Sequence, residues 1–99
     1  SLANSTVTVG SGSVASGSSV LVTLTARDAQ NNLVTAGDLT VTFARSGGTS
    51  TGTFSSVIYA GAGQYTSNFT GLAAGTSTTI TGSIGGTPLS SAFPTVTVI

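Results

Sequence analysis

The chain has 99 residues, zero formal net charge and four charged side chains, Arg27, Asp28, Asp38 and Arg45. That length allows one modest core, and the charge leaves no positive field for a nucleic-acid backbone and no basic patch for a membrane surface. Lys, Glu, His and Cys do not occur, which excludes a disulfide, a thiolate nucleophile and the usual ligands of zinc, copper, haem and iron–sulfur clusters.

Ser (16) and Thr (19) together with 14 Gly make 49 of the 99 residues, yet 38% of the chain is hydrophobic. Apolar runs are short, far below the roughly 20 residues of a membrane-spanning helix, and no charged-then-apolar leader opens the chain. A soluble piece is expected. Met is absent and the chain starts at Ser1, so the expectation is a processed or excised segment of something larger.

Strong helix formers are scarce, and strand signals recur along the chain. Thr6 to Val9 alternates with period two. From Ser19 to Arg27, Val20, Val22, Leu24 and Ala26 share one face, with Thr23, Thr25 and Arg27 on the other. Leu39, Val41 and Phe43 alternate with Thr40 and Thr42. A Gly/Ser/Thr loop is expected over Ser46 to Gly52, then one short, less regular strand through Phe54, Val57, Ile58 and Tyr59. Tyr65, Ser67 and Phe69 alternate with Thr66, Asn68 and Thr70; Ile80, Gly82 and Ile84 with Thr79, Thr81 and Ser83; Val96 and Val98 with Thr95 and Thr97. Turns fall at Gly10–Gly12, Asp28–Asn32, Gly47–Gly48, Gly61–Gly63, Gly71–Gly75 and Gly85–Gly86.

Segments with one oily and one hydroxyl-rich face need a second layer to cover the oily side. The pattern predicts an all-β fold, an immunoglobulin-like β-sandwich of about seven antiparallel strands without a disulfide. Its core should rest on aliphatic side chains with Phe43, Phe54, Tyr65 and Phe69. Ser/Thr/Gly tracts are often disordered, but a linker has no reason to place an apolar residue at every second position.

Several segments, in this order and spacing, carry a resemblance: Ser5 to Val9, Val22 to Asn32, Leu39 to Phe43, Gly61 to Thr66, and Ala74-Gly75-Thr76 leading into Ile80-Thr81. The chain resembles one repeat of the bacterial Ig-like domains of invasin and intimin type, with some filamin-repeat character. It departs from the family pattern at Asn31, Leu33 and Ala62, which stand where Gly, Pro and a polar turn residue are common. Asn31 tolerates the left-handed conformation, and the unusual dihedrals of the second turn are expected at Gly61 and Gly63. The resemblance implies a secreted or cell-surface bacterial protein in which such domains are strung in tandem and hold an adhesive tip away from the envelope. Residues 1–99 then form one Ig-like domain, a repeat from a longer array. A terminal strand at Pro94 to Val98, and a first strand about four residues from the start, suit short linkers between copies.

No catalytic, cofactor-binding or metal-binding residue is assigned. Hydroxyls abound, but with no His or Lys only Asp28 and Asp38 remain as bases. Asp28 is better read as an Asx turn over Gln30 and Asn31, with Arg27 or Arg45 pairing an Asp at the sandwich end. Two carboxylates are too few for a strong calcium site, and a Lys isopeptide crosslink is impossible. Thr-x-Thr pairs at Thr6/Thr8, Thr23/Thr25, Thr40/Thr42, Thr79/Thr81 and Thr95/Thr97 suggest an ice-binding face, but a twisted sandwich does not align five ranks in one plane, and Thr suits any solvated sheet. Asn4-Ser5-Thr6 and Asn68-Phe69-Thr70 match the N-glycosylation pattern at about the frequency chance supplies. Tyr59 is weighed as part of a sugar-binding patch against a place in the core or its rim.

The sequence thus points to a non-catalytic spacer repeat of an extracellular adhesin. Its partners would be neighbouring repeats or identical subunits, with no nucleic acid and no membrane insertion by this segment. Two alternatives stand beside it. One is a filament or sheath subunit that pairs through Thr95 to Ile99 or Thr6 to Val9. The other is a glycan- or host-receptor-binding module using Ser46 to Thr53 or Gly61 to Gly63.

Overall fold

Extended backbone is the conformation in which the alternating oily residues of each segment all reach one side. The computed structural model describes residues 3–35 and 39–99. Its strands are β1 (Thr6–Val9), β2 (Ser13–Val14), β3 (Ser19–Thr25), β4 (Val41–Ser46), β5 (Thr51–Phe54), β6 (Ile58–Gly61), β7 (Gln64–Ala73), β8 (Thr78–Ile84), β9 (Thr87–Pro88) and β10 (Thr95–Val98).

They form two sheets. The first is ordered β1-β3-β7-β5 with β6 also on β7; the second is β2-β10-β8-β4 with β9 also on β8. β3 covers one edge of β7 from Gln64 to Thr70, so β5 and β6 divide the other edge between them. The predicted faces hold. Val20, Val22, Leu24 and Ala26 are buried, as are Tyr65, Phe69, Ile80, Val96 and Val98. Fully burying each such aliphatic or aromatic side chain contributes roughly 1.5–3 kcal/mol, so the interdigitated inner faces are the main source of stability.

The strand count of about seven needs correction to ten among the described residues. One expected strand, through Phe54 and Tyr59, is in fact two, β5 and β6, separated at Ser55 to Val57. Two-residue strands β2 and β9 add the rest, and two residues are too few to leave a periodic signature. The second sheet is also mixed, because β2 and β10 are parallel.

Phe43 and Phe54 are half-buried and close the side of the sandwich between β4 and β5. Their ring centroids lie 6.2 Å apart, and Phe54 reaches Phe69 at 5.0 Å. The sheets come close at Gly82, where a Cβ would sit 2.7 Å from Val7 Cγ2 and 2.9 Å from Leu24 Cδ1. Gly82 is therefore a packing requirement in the middle of β8.

Candidate functional site

The rod measures 39 × 22 × 21 Å, and the strand registers assign its connections to two poles. At the first pole, Asn4 Nδ2 donates to the carbonyls of Asp28 at 3.0 Å and Ala29 at 3.3 Å. Ser5, fully buried, takes the Arg27 amide on its hydroxyl at 3.0 Å, and its carbonyl accepts the Ser91 hydroxyl at 2.6 Å. At the opposite pole, the Ile99 amide donates to the Val14 carbonyl at 2.9 Å and its carbonyl accepts the Ser16 amide at 3.0 Å. The backbone therefore enters at one end of the long axis and leaves at the other.

The first pole holds most of the residues singled out by the sequence. Asp28 Oδ1 accepts the amides of Gln30 at 3.0 Å and Asn32 at 2.8 Å, the expected Asx turn. Asn31 adopts φ 66° there, and Arg27 Nη1 donates to its carbonyl at 3.2 Å. The Asp28 carboxylate is thus occupied in shaping its own loop. Asp38, the other carboxylate weighed for a dyad, lies outside the described residues. Arg45 Nη1 reaches Thr78 Oγ1 at 3.5 Å.

At the second turn Ala62 itself is left-handed, with φ 52° between Gly61 at 94° and Gly63 at 74°. The left-handed dihedrals expected at Gly61 and Gly63 are present, and Ala62 shares them. A two-residue hairpin turn joining Gly61 to Gln64 needs positive φ at both central positions, and these are Ala62 and Gly63.

Tyr59 is half-buried against Tyr65, centroids 4.9 Å apart. Its hydroxyl donates to the Thr35 carbonyl at 2.8 Å and accepts the Gly63 amide at 3.2 Å. Tyr65 Oη accepts the Leu39 amide at 3.2 Å. Both phenols tie down loops, and Tyr59 packs on the rim of the core.

At the second pole the loop before β5, weighed as a binding loop, is fastened. The Thr49 amide donates to Thr76 Oγ1 at 2.9 Å and the Thr76 amide to Thr49 Oγ1 at 2.8 Å. Ser50 is fully buried and its hydroxyl accepts the Val98 amide at 3.0 Å. Ser50 carries no signal of its own in the sequence, because one more hydroxyl in a Gly/Ser/Thr loop looks like its neighbours. Asn68 is exposed on β7, whereas Asn4 is half-buried and engaged. The Thr ranks divide between the two outer faces: Thr6 pairs with Thr25 and Thr8 with Thr23 on one sheet, while Thr79 and Thr95 pair on the other.

The edges bear on the filament reading. Thr95–Val98 lies between β2 and β8, so its backbone is already paired and is not free to enter a neighbour's sheet. The other edges are blunted without Lys. β1 has four residues, β5 and β6 carry register shifts, β9 ends on Pro88, and Arg45 stands opposite Ile80 on the core-side row of β4. Short strands, irregularities, proline and inward charges all discourage edge-to-edge pairing. Among the described residues, no group of three or more His, Cys, Asp or Glu is placed to hold a metal.

The family described as "Invasin, domain 3" matches over residues 1–99. The chain belongs to that family. Two solved bacterial adhesins share the fold over all of the chain. FdeC of Escherichia coli is 29% identical with a TM-score of 0.87, and InvE of Yersinia pseudotuberculosis is 27% identical with a TM-score of 0.85. The chain spans 31% of the FdeC structure and 27% of the InvE structure. The Lin-41 filamin domain, 19% identical with a TM-score of 0.67, is covered over 95% of its length by 100% of this chain and shows the likeness of fold alone. The comparison with curated protein sequences gave no match. The invasin-type resemblance, the filamin character and the immunoglobulin-like sandwich read from the sequence are thus all met.

Proposed function

We propose that this invasin-family domain is a non-catalytic spacer in a bacterial cell-surface adhesin, one repeat in a row that carries an adhesive end outward. The carrying observation is the path of the chain, in at one pole of a 39 Å rod and out at the other. Successive copies joined by short linkers then add length with every repeat. The adhesin relatives, each about three times longer than this chain or more, support the same reading. So do loops bound by their own hydrogen bonds at both poles and a side-chain inventory without His, Lys or Cys for nucleophilic chemistry.

The test is removal of residues 1–99 from the parent polypeptide. Electron microscopy should show the stalk shortened by about 39 Å, with binding by the remaining chain unchanged. A stalk of unaltered length, or loss of binding in a stalk shortened as expected, would overturn the spacer role.

A further inference from the structure

The two Asn-x-Thr triplets occur at the frequency chance supplies, and folding makes them unequal. In Asn4-Ser5-Thr6 the Asn4 side-chain amide is spent on the carbonyls of Asp28 and Ala29, and Ser5 beside it is fully buried. In Asn68-Phe69-Thr70 the two-residue period of β7 turns Phe69 into the core and sets Asn68 and Thr70 together on the outer face. The Asn68 backbone is held by Ser55, whose hydroxyl accepts the Asn68 amide at 2.9 Å and whose own amide donates to the Asn68 carbonyl at 3.0 Å. Among the described residues nothing hydrogen-bonds its side chain. Asn68 therefore presents an uncommitted, exposed carboxamide on a fixed backbone. Its neighbours are unusual for a solvated face. Leu21 stands directly opposite Asn68 on β3, and Ile58 stands opposite Thr66, one outward position along β7. These two side chains are 49% and 64% exposed, whereas β4, β8 and β10 of the other sheet expose no large apolar side chain among the described residues.

We propose that Asn68 is a modification site and carries an N-linked glycan whose first sugar lies over Leu21 and Ile58. In the transfer, Asn68 Nδ2 bonds to the anomeric carbon of a sugar as the bond from that carbon to a phosphate oxygen breaks. The diphosphate of the nucleoside- or lipid-linked donor leaves with the bonding electrons, and Nδ2 gives up one proton. The Thr70 hydroxyl completes the acceptor pattern. Directly opposite residues of antiparallel strands have Cβ atoms about 5 Å apart, so one sugar ring attached at Asn68 reaches Leu21. The C–H groups on a face of that ring remove apolar surface from water when they rest on the two side chains, which is favourable. The patch thus holds the glycan flat against the sheet, and the glycan shields the patch. It also adds bulk and solubility to a sheet whose five strands contain no charged residue. The proposal rests on the cell-surface part of the spacer reading, since the acceptor pattern belongs to exported proteins.

Mass spectrometry of the parent polypeptide, purified from the cells that make it, tests the site. Cleavage after Arg27 and Arg45 puts Asn4 and Asn68 on separate peptides. The Asn68 peptide is expected to carry added saccharide mass, placed on Asn68 by fragmentation, and the Asn4 peptide none. A single fixed increment marks a preassembled oligosaccharide from a lipid-linked donor, and a ladder of single sugars marks stepwise transfer from nucleoside-linked donors. Asn68→Gln and Thr70→Ala should each abolish the gain, while Thr70→Ser should keep it. An unmodified Asn68 peptide, sugar on Asn4 or on hydroxyls alone, or sugar that survives Thr70→Ala would overturn the site. None of these results alters the length of the stalk, so the site can fail while the spacer role stands.

Discussion

The Ser50 hydroxyl accepts the Val98 amide proton at 3.0 Å, in a position where both residues are almost wholly shielded from water. Val98 lies past Thr78, where β8 begins, since Val96 is already opposite Thr78. A side chain from a loop therefore does the work of the missing neighbour strand.

Ser50→Ala removes that acceptor and leaves the Val98 amide buried without a partner. The expected loss is about 1–3 kcal/mol, read as a lower midpoint in chemical denaturation with an unchanged slope. A midpoint equal to that of the unsubstituted chain would show that water reaches the amide.

Gly82→Ala places a methyl group against Val7 and Leu24, both buried side chains of the facing sheet. Overpacking of this kind costs typically 1–3 kcal/mol. Thr42→Ala, at an exposed position of β4, should stay within about 0.5 kcal/mol. Thermal unfolding of the two variants side by side checks the contrast.

Val41 is buried in β4 and Thr42, next to it, points outward. Val41→Asp puts an unpaired charge in the core and should abolish the folded circular-dichroism signal, whereas Thr42→Asp should cost within about 1 kcal/mol. Equal damage from the two would mean that the face assignment is reversed.

Ala62 holds φ 52°, a left-handed conformation that costs a residue with a Cβ roughly 1–2 kcal/mol. Ala62→Gly relieves that strain and gives back part of the gain as chain entropy. A net stabilisation of about 0.5 kcal/mol is expected, seen as a raised denaturation midpoint. Asn31→Ala, at φ 66°, should move the midpoint the other way.

The faces of β3, β7, β8 and β10 were legible because each has four or more residues and one oily row, so the two-residue period determines which side meets the core. The Asx turn at Asp28 was equally legible, since it is made within five consecutive residues. The short strands were not. β2 and β9 exist through partners more than a dozen residues away or across a tight turn, and neither Ser13-Val14 nor Thr87-Pro88 differs in pattern from a loop. The division of Phe54 to Tyr59 into two strands was hidden for a related reason. Ser55 bonds the backbone of Asn68 and shares hydrogen bonds with Ser67, and those partners lie 12 or 13 residues further on.

By itself the sequence determined the class of fold, the buried rows and the family likeness. These follow from residue type and local period. Only the tertiary structure decided that β10 sits between two strands, that Ser50 anchors Val98, that Tyr59 is spent on loop carbonyls and amides, and that the chain enters and leaves at opposite poles. Each of these depends on which distant segments become neighbours, and that choice is made by the packing of two sheets, where hydrogen-bond partners are set by register in space and not by separation along the chain.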